Sequence, residues 1–172
     1  MDTLLNTMFI KRFCLPSNSD IQSYEEGKAN ISPCICGHYN HISCVLQGKG
    51  MFEKGRTLSF GVNQMGDSDG KTPGIHAECD AILKLMPLKN KKRLEIINML
   101  VVRLSSKNKI QSSKPCINCI ETMKTLPPKM GYKIDKIYYS DSDGNIIKTS
   151  LKMLDADESK HCSKYFRRKR RR

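Results

Sequence analysis

The stretch HAECDAILKLMPLKNKKRLEIINMLVVRLSSKNKIQSSKPCINCIETMKTL, residues 76–126, changes its hydrophobic period twice. In its first part Ala77, Ala81 and Leu85 recur at four-residue steps, and Ile82 and Met86 widen the stripe. That spacing predicts a helix with one apolar face turned to a sheet, ended by Pro87. After the basic linker KNKKR, residues 97–105 read INMLVVRLS, an unbroken aliphatic and β-branched run that predicts a strand covered on both faces. A polar loop, SKNKIQSSKP, then delivers a second short helix, opened by Pro115 and closed by Pro127 and Pro128.

Working outward, HISCVLQG (residues 41–48) and TLSFGVNQ (57–64) are runs of β-formers around a basic, Gly-containing turn, which predicts a hairpin. The turn-rich GDSDGKTPG (66–74) must be a loop. Downstream, KIDKIYYS and NIIKTSL alternate and are joined by DSDG, so the last two strands are expected to be antiparallel neighbours. The order strand, strand, helix, strand, helix, strand, strand argues for one mixed five-stranded sheet flanked by helices, an α/β or α+β sandwich. Residues 1–29 form an N-terminal segment with a short helix expected over 3–13, residues 30–155 the domain, and 156–172 a basic tail outside the fold. No internal repeat is present.

The 172 residues suit one core, and 38% hydrophobic with 27% charged is polar yet globular. No apolar run approaches the roughly 18 residues of a membrane-spanning helix. The first residues, MDTLLNTMFIKRFCLPS, lack the features of a secretory leader, so an intracellular, cytoplasmic protein with no membrane contact is expected. Eight cysteines in such a chain read as reduced thiols, metal ligands or small core residues. The net charge is +13, and KYFRRKRRR (164–172) carries seven cations and no acid, leaving 23 cations against 17 acids in residues 1–163. This block reads as an arm for phosphates, an acidic surface or a nuclear-import receptor, or as a solubilising tail.

Two short segments carry the chemistry. Cys116 and Cys119 lie three apart at the start of a helix, so both sulfurs can face one point, and His76 opens the other helix. If the two helix starts converge, one imidazole and two thiolates give a metal three ligands, and zinc keeps a fourth position for water, as catalytic sites do. Glu78 is the nearby carboxyl. Two positions along an ideal helix is a rotation of roughly 200°, so spacing alone does not put Glu78 on the same side as His76.

His76-Ala77-Glu78 followed by Pro115-Cys116-Ile117-Asn118-Cys119 resembles the H-x-E and P-C-x-x-C signature of the zinc-dependent cytidine deaminase superfamily. The 39 residues between His76 and Cys116 hold the helix, strand and loop such a unit needs, and the resemblance extends over roughly residues 40–155. It implies a cytidine deaminase-like three-layer sandwich, with zinc on His76, Cys116 and Cys119 and with Glu78 as the catalytic proton shuttle. Gly61-Val62-Asn63 sits where such enzymes hold the substrate's sugar through the Asn, and main-chain groups around Ala77 and Pro115 are expected to orient the base. The implied reaction replaces the exocyclic amine of a cytosine nucleoside or nucleotide by a carbonyl, and a homo-oligomer is implied by the same resemblance. Met65 stands where free-nucleoside enzymes have a second sugar-binding Glu, and Lys114 replaces a frequent Ser or Glu. The antiparallel last strand pair resembles free cytidine deaminases. The His ligand resembles the nucleotide, tRNA and polynucleotide group, so a base within tRNA or single-stranded nucleic acid, engaged through the basic tail, stays open as substrate.

Other readings of the same residues remain. Cys116 and Cys119 also suit small buried hydrophobes, or a structural zinc in a non-catalytic nucleic-acid-binding module with Glu78 as a solvated or capping acid. Asn63 also suits a strand-end turn. A second cluster, Cys34, Cys36, His38, His41 and Cys44, lacks the usual paired ligand spacing, and a strand would send His41 and Cys44 to opposite faces, so loop and core roles are expected. Cys14, Cys79 and Cys162 have no partner motif. Tyr165 and Phe166 are the only aromatics beside the tail, thin for a base-stacking platform.

Overall fold

The computed structural model describes residues 39–48, 56–64, 66, 73–89, 93–105, 107 and 109–162. Six strands form one mixed sheet: β1 (Tyr39–Gln47), β2 (Arg56–Val62), β3 (Glu95–Ser105), β4 (Ile110–Gln111), β5 (Tyr132–Ser140) and β6 (Ile146–Thr149). Their order is β2-β1-β3-β5-β6, with two-residue β4 paired to the end of β3 at Arg103 and Leu104. β1 runs antiparallel to β2 and β3, β3 and β5 are parallel, and β5 and β6 are antiparallel. Among the described residues three helices accompany it: α1 (Ala77–Leu83), α2 (Ile117–Lys129) and α3 (Leu151–Ala156).

Both hairpins expected from the sequence are present. In β3 all of residues 97–102 are buried, as a strand covered on both faces requires. The apolar stripe of α1 delivers Ala81 and Ile82, with Leu85 just beyond its end, into one core with Val45 of β1, Ile97, Met99 and Val101 of β3, Ile120 and Met123 of α2, and Leu154 of α3. All three helices therefore meet the same core, and the described residues account for two of the three layers expected.

This topology sets where the site forms. β2 and β3 both run opposite to β1, so they are parallel to each other. α1 follows β2 and α2 follows β3, so both helices start beyond the same end of the sheet. The antiparallel β1 begins at that end as well.

Some local readings are corrected. Pro127 and Pro128 do not close α2; they lie inside its last turn. A proline already holds a helical φ, its lost N–H bond and the crowding of its ring against the preceding turn fall only at the helix end, and the stop is made by Gly131 at φ 92°. Cys116, not Pro115, caps the start of α2. The sheet has a sixth strand, β4, inside what the sequence presents as polar loop. NIIKTSL ends as a strand at Thr149, because Ser150 caps α3 by accepting the Met153 N–H through Oγ at 3.3 Å. The N-terminal helix reading, Cys14, Cys34, Cys36, His38, Met65, the turn at 49–55 and the tail at 164–172 lie outside the described residues. Among the described residues no helix is long and apolar enough to cross a membrane.

Candidate metal centre

His76 and Cys116 occupy equivalent places as the cap residues of α1 and α2, both with extended backbone, at φ −74°, ψ 151° and φ −80°, ψ 167°. Cys119 lies in the first turn of α2. His76 Nδ1 is 3.2 Å from Cys119 Sγ and 3.4 Å from Cys116 Sγ, and the two sulfurs are 3.6 Å apart. The three donors thus lie close enough together to hold a metal ion, and Cys116 and Cys119 are almost wholly buried.

The extended conformation of His76 also explains how Glu78 joins the cluster. The 100° step of a helix does not apply across its cap, so the rotation that would separate positions 76 and 78 never accumulates. Glu78 is 1% exposed, and its Oε2 is buried without a hydrogen-bond partner. Burial pushes its carboxyl above the usual range. Without a metal, hydrogen bonding from Cys119 and contact with His76 bring Cys116 down to about 3. The bond to Cys116 raises His76 to about 9, while hydrogen bonding to Cys116, then to Cys79, pushes Cys119 up.

Two buried networks hold the ligand-bearing segments. On the α1 side, Ser43 Oγ donates to the Ala77 carbonyl at 2.7 Å and Ser59 Oγ to the Ala81 carbonyl at 2.8 Å, clamping the helix backbone to β1 and β2. The Gln64–Ile75 bridge closes the loop just ahead of His76. On the α2 side, Ser113 Oγ donates to the Val101 carbonyl and accepts the Ser140 N–H, both at 2.8 Å, and the Ser113 N–H donates to the Ser140 carbonyl. This pair staples the segment before Cys116 to β3 and β5. Sequence reasoning did not find it, because isolated serines in a polar loop carry no periodic signal.

Asp80 does similar work for β2. Its carboxylate accepts the Val62 N–H at 3.0 Å, the Gln64 amide at 2.7 Å and the Lys84 ammonium at 2.7 Å while almost fully buried. Asp80→Ala leaves the first two donors without their acceptor and is expected to lower unfolding free energy by about 3 kcal/mol in urea denaturation. A loss below about 1 kcal/mol would show that the network is dispensable.

The remaining sequence candidates fall as follows. Asn63 is exposed at the end of β2, and its Oδ1 accepts the Ala77 N–H at 2.8 Å. The Ala77 N–H and carbonyl are thus both engaged within the protein, by Asn63 and Ser43. Pro115 is buried ahead of Cys116. Cys79, which had no partner motif, places Sγ 3.8 Å from Cys119 Sγ, though it is not one of the three mutually adjacent donors. His41 and Cys44 of the dismissed second cluster separate onto opposite faces of β1, His41 on the side of Ser43 and α1. Cys162 is half-buried.

The segment after α3 returns to this end of the sheet. The His161 carbonyl accepts the Ile117 N–H at 3.0 Å, and Lys114 Nζ donates to Asp157 Oδ2 at 2.6 Å and Ser159 Oγ at 2.9 Å. The Lys114 contact holds Asp157 well below the usual carboxylate range. No protein-family model matches the chain, and no curated protein matches it.

Proposed function

We propose that the protein is a zinc-dependent hydrolytic deaminase of the cytidine deaminase superfamily, acting on a cytosine nucleoside or nucleotide. The observation that carries this reading is the buried, unpartnered Oε2 of Glu78 beside a His/Cys/Cys donor set. One imidazole and two thiols are a donor set suited to zinc, and three protein ligands are the number that catalytic sites supply. When bound there, zinc would lower the pKa of water toward neutrality.

The chain's own groups then divide the work. His76, Cys116 and Cys119 hold the metal. Glu78, with its carboxyl raised by burial, takes one proton from the attacking water and passes it to the ring nitrogen beside the attacked carbon; it then takes the second proton from the hydroxyl on that carbon as it becomes the carbonyl, and gives it to the departing amine. Water and the amine are consumed, and a carbonyl and ammonia are formed. Asn63, exposed at the rim, supports the sugar.

A second reading, a deaminase acting on a base within tRNA or single-stranded nucleic acid, is favoured by the anchoring of residues 157–161 against Lys114 and Ile117. The run of seven cations in 164–172 begins three residues after that anchor, a length of chain of roughly 10 Å at full extension. Phosphate contacts made there would weaken steeply with salt.

One experiment tests both. Purified full-length protein is assayed for zinc content and for ammonia release from cytidine, deoxycytidine, their monophosphates, tRNA and a single-stranded oligonucleotide. A version lacking 164–172 is run beside it. Turnover of a free nucleoside or nucleotide that survives the deletion is the expected result. Activity confined to the polymers and lost with the tail supports the second reading. One zinc per chain with no ammonia from any substrate overturns both and leaves a structural metal module.

A further inference from the structure

Among the described residues three buried side-chain polar atoms have no hydrogen-bond partner: His41 Nε2, Glu78 Oε2 and Asn118 Nδ2. Such atoms are rare because each forfeits hydration without compensation. Here all three lie on the elements that meet at the metal centre: the first strand, the first turn of α1 and the first turn of α2. The proposed mechanism uses Glu78 alone.

His41 is the informative one of the other two. Its main-chain carbonyl accepts the Asn63 N–H at 3.2 Å, so the two residues sit side by side at the ends of β1 and β2. Its side chain shares the face of Ser43, whose hydroxyl holds Ala77, the residue between His76 and Glu78. The ring therefore lies on the α1 side of the sheet, next in line to the residue assigned to the sugar.

Resting on the deaminase reading, we infer that His41 is a substrate-contacting residue whose Nε2 forms a hydrogen bond with the bound nucleoside, on the base edge or on a sugar hydroxyl. Burial, followed by the nearby Arg103 and His76, holds the ring neutral at physiological pH, with a pKa down at about 4. A neutral imidazole presents one N–H and one lone pair, which suits a neutral ligand. Packing alone gives no reason for the residue, since an apolar side chain in its place would remove an uncompensated buried nitrogen.

That contrast supplies the test. His41→Phe and His41→Leu, two apolar replacements of different volume, and His41→Gln, whose terminal amide reaches toward the Nε2 position, are made in full-length zinc-loaded protein. Tm and zinc content are measured for each. Equilibrium binding of cytidine and of deoxycytidine is measured by calorimetry with Glu78→Gln present to stop turnover. The expected result is one zinc per chain throughout, an unchanged or raised Tm for at least one apolar variant, binding weakened tenfold or more in it, and partial recovery with Gln. A loss seen for cytidine alone assigns the contact to the 2′-hydroxyl, and an equal loss for both ligands to the base or a shared hydroxyl. Binding within threefold of the His41 parent, or a lowered Tm in both apolar variants, overturns the inference. A parent that holds zinc yet binds neither nucleoside overturns the deaminase reading first, and the role of His41 falls with it.

Discussion

Glu78→Gln is expected to keep one zinc per chain and to lose turnover by about 10³-fold or more, the scale of a positioned general acid–base group. The exchange is nearly isosteric at a buried position, so His76, Cys116 and Cys119 should stay in place while the group proposed to give and take a proton is gone. It also predicts a gain. In the metal-free protein the Glu78 carboxyl titrates above its unfolded value because burial penalises the charged form. The folded state then binds the proton more tightly, so the stabilising contribution is complete below the unfolded pKa and is lost as pH rises through the folded one. An amide has no such dependence. Metal-free Glu78→Gln should therefore be more stable than the parent near pH 7, with the difference shrinking towards pH 4 in denaturant titrations. Surviving activity would remove Glu78 from the mechanism, and loss of zinc would make it part of the metal site instead.

The linear motifs were legible because each holds its residues within a few positions: His76 with Glu78, and Cys116 with Cys119. The helix–strand–helix unit was legible because its period changes are sharp. What joins the motifs was legible only in outline. That β2 and β3 run the same way, and so bring both helix starts to one end of the sheet, depends on β1 lying between them, which no local pattern states. Glu78 looked misplaced because the helical step was counted from a residue that is not helical. α3 had a local signal, Ser150 ahead of Leu151 and Leu154, that was absorbed into the end of a strand. His41 was read within a tight group of Cys and His. Strand alternation correctly separated it from Cys44, but what it faces instead is a tertiary fact.

Gly61→Ala is expected to lower stability by about 3 kcal/mol or more and to weaken zinc binding at the same time, although Gly61 touches no metal donor. A Cβ built on Gly61 would lie 2.1 Å from the Ala77 carbonyl oxygen, 2.3 Å from the Ala81 nitrogen and 2.9 Å from the Ala81 Cα. These are backbone atoms of α1, so no side chain can rotate away, and the cost belongs at or above the upper end of ordinary overpacking. Gly61 lies in register with Ser43, and the serines at 43 and 59 hold the same stretch of helix, at Ala77 and Ala81, by hydrogen bonds that need the helix this close. Pushing α1 outward stretches both and carries His76 and Glu78 away from Cys116 and Cys119, which stay fixed to β3 and β5 through Ser113 and Ser140. Ser59→Ala separates the two effects, since it deletes one clamp without adding volume and should cost about 1 kcal/mol with zinc affinity preserved. Zinc titration with a competing chelator, alongside urea denaturation of the metal-free proteins, reads both quantities. Unaltered affinity in Gly61→Ala would mean that the two helix starts need not be held in register for the ion to bind. Joint loss would make the close approach of α1 to β2 a condition of the metal centre.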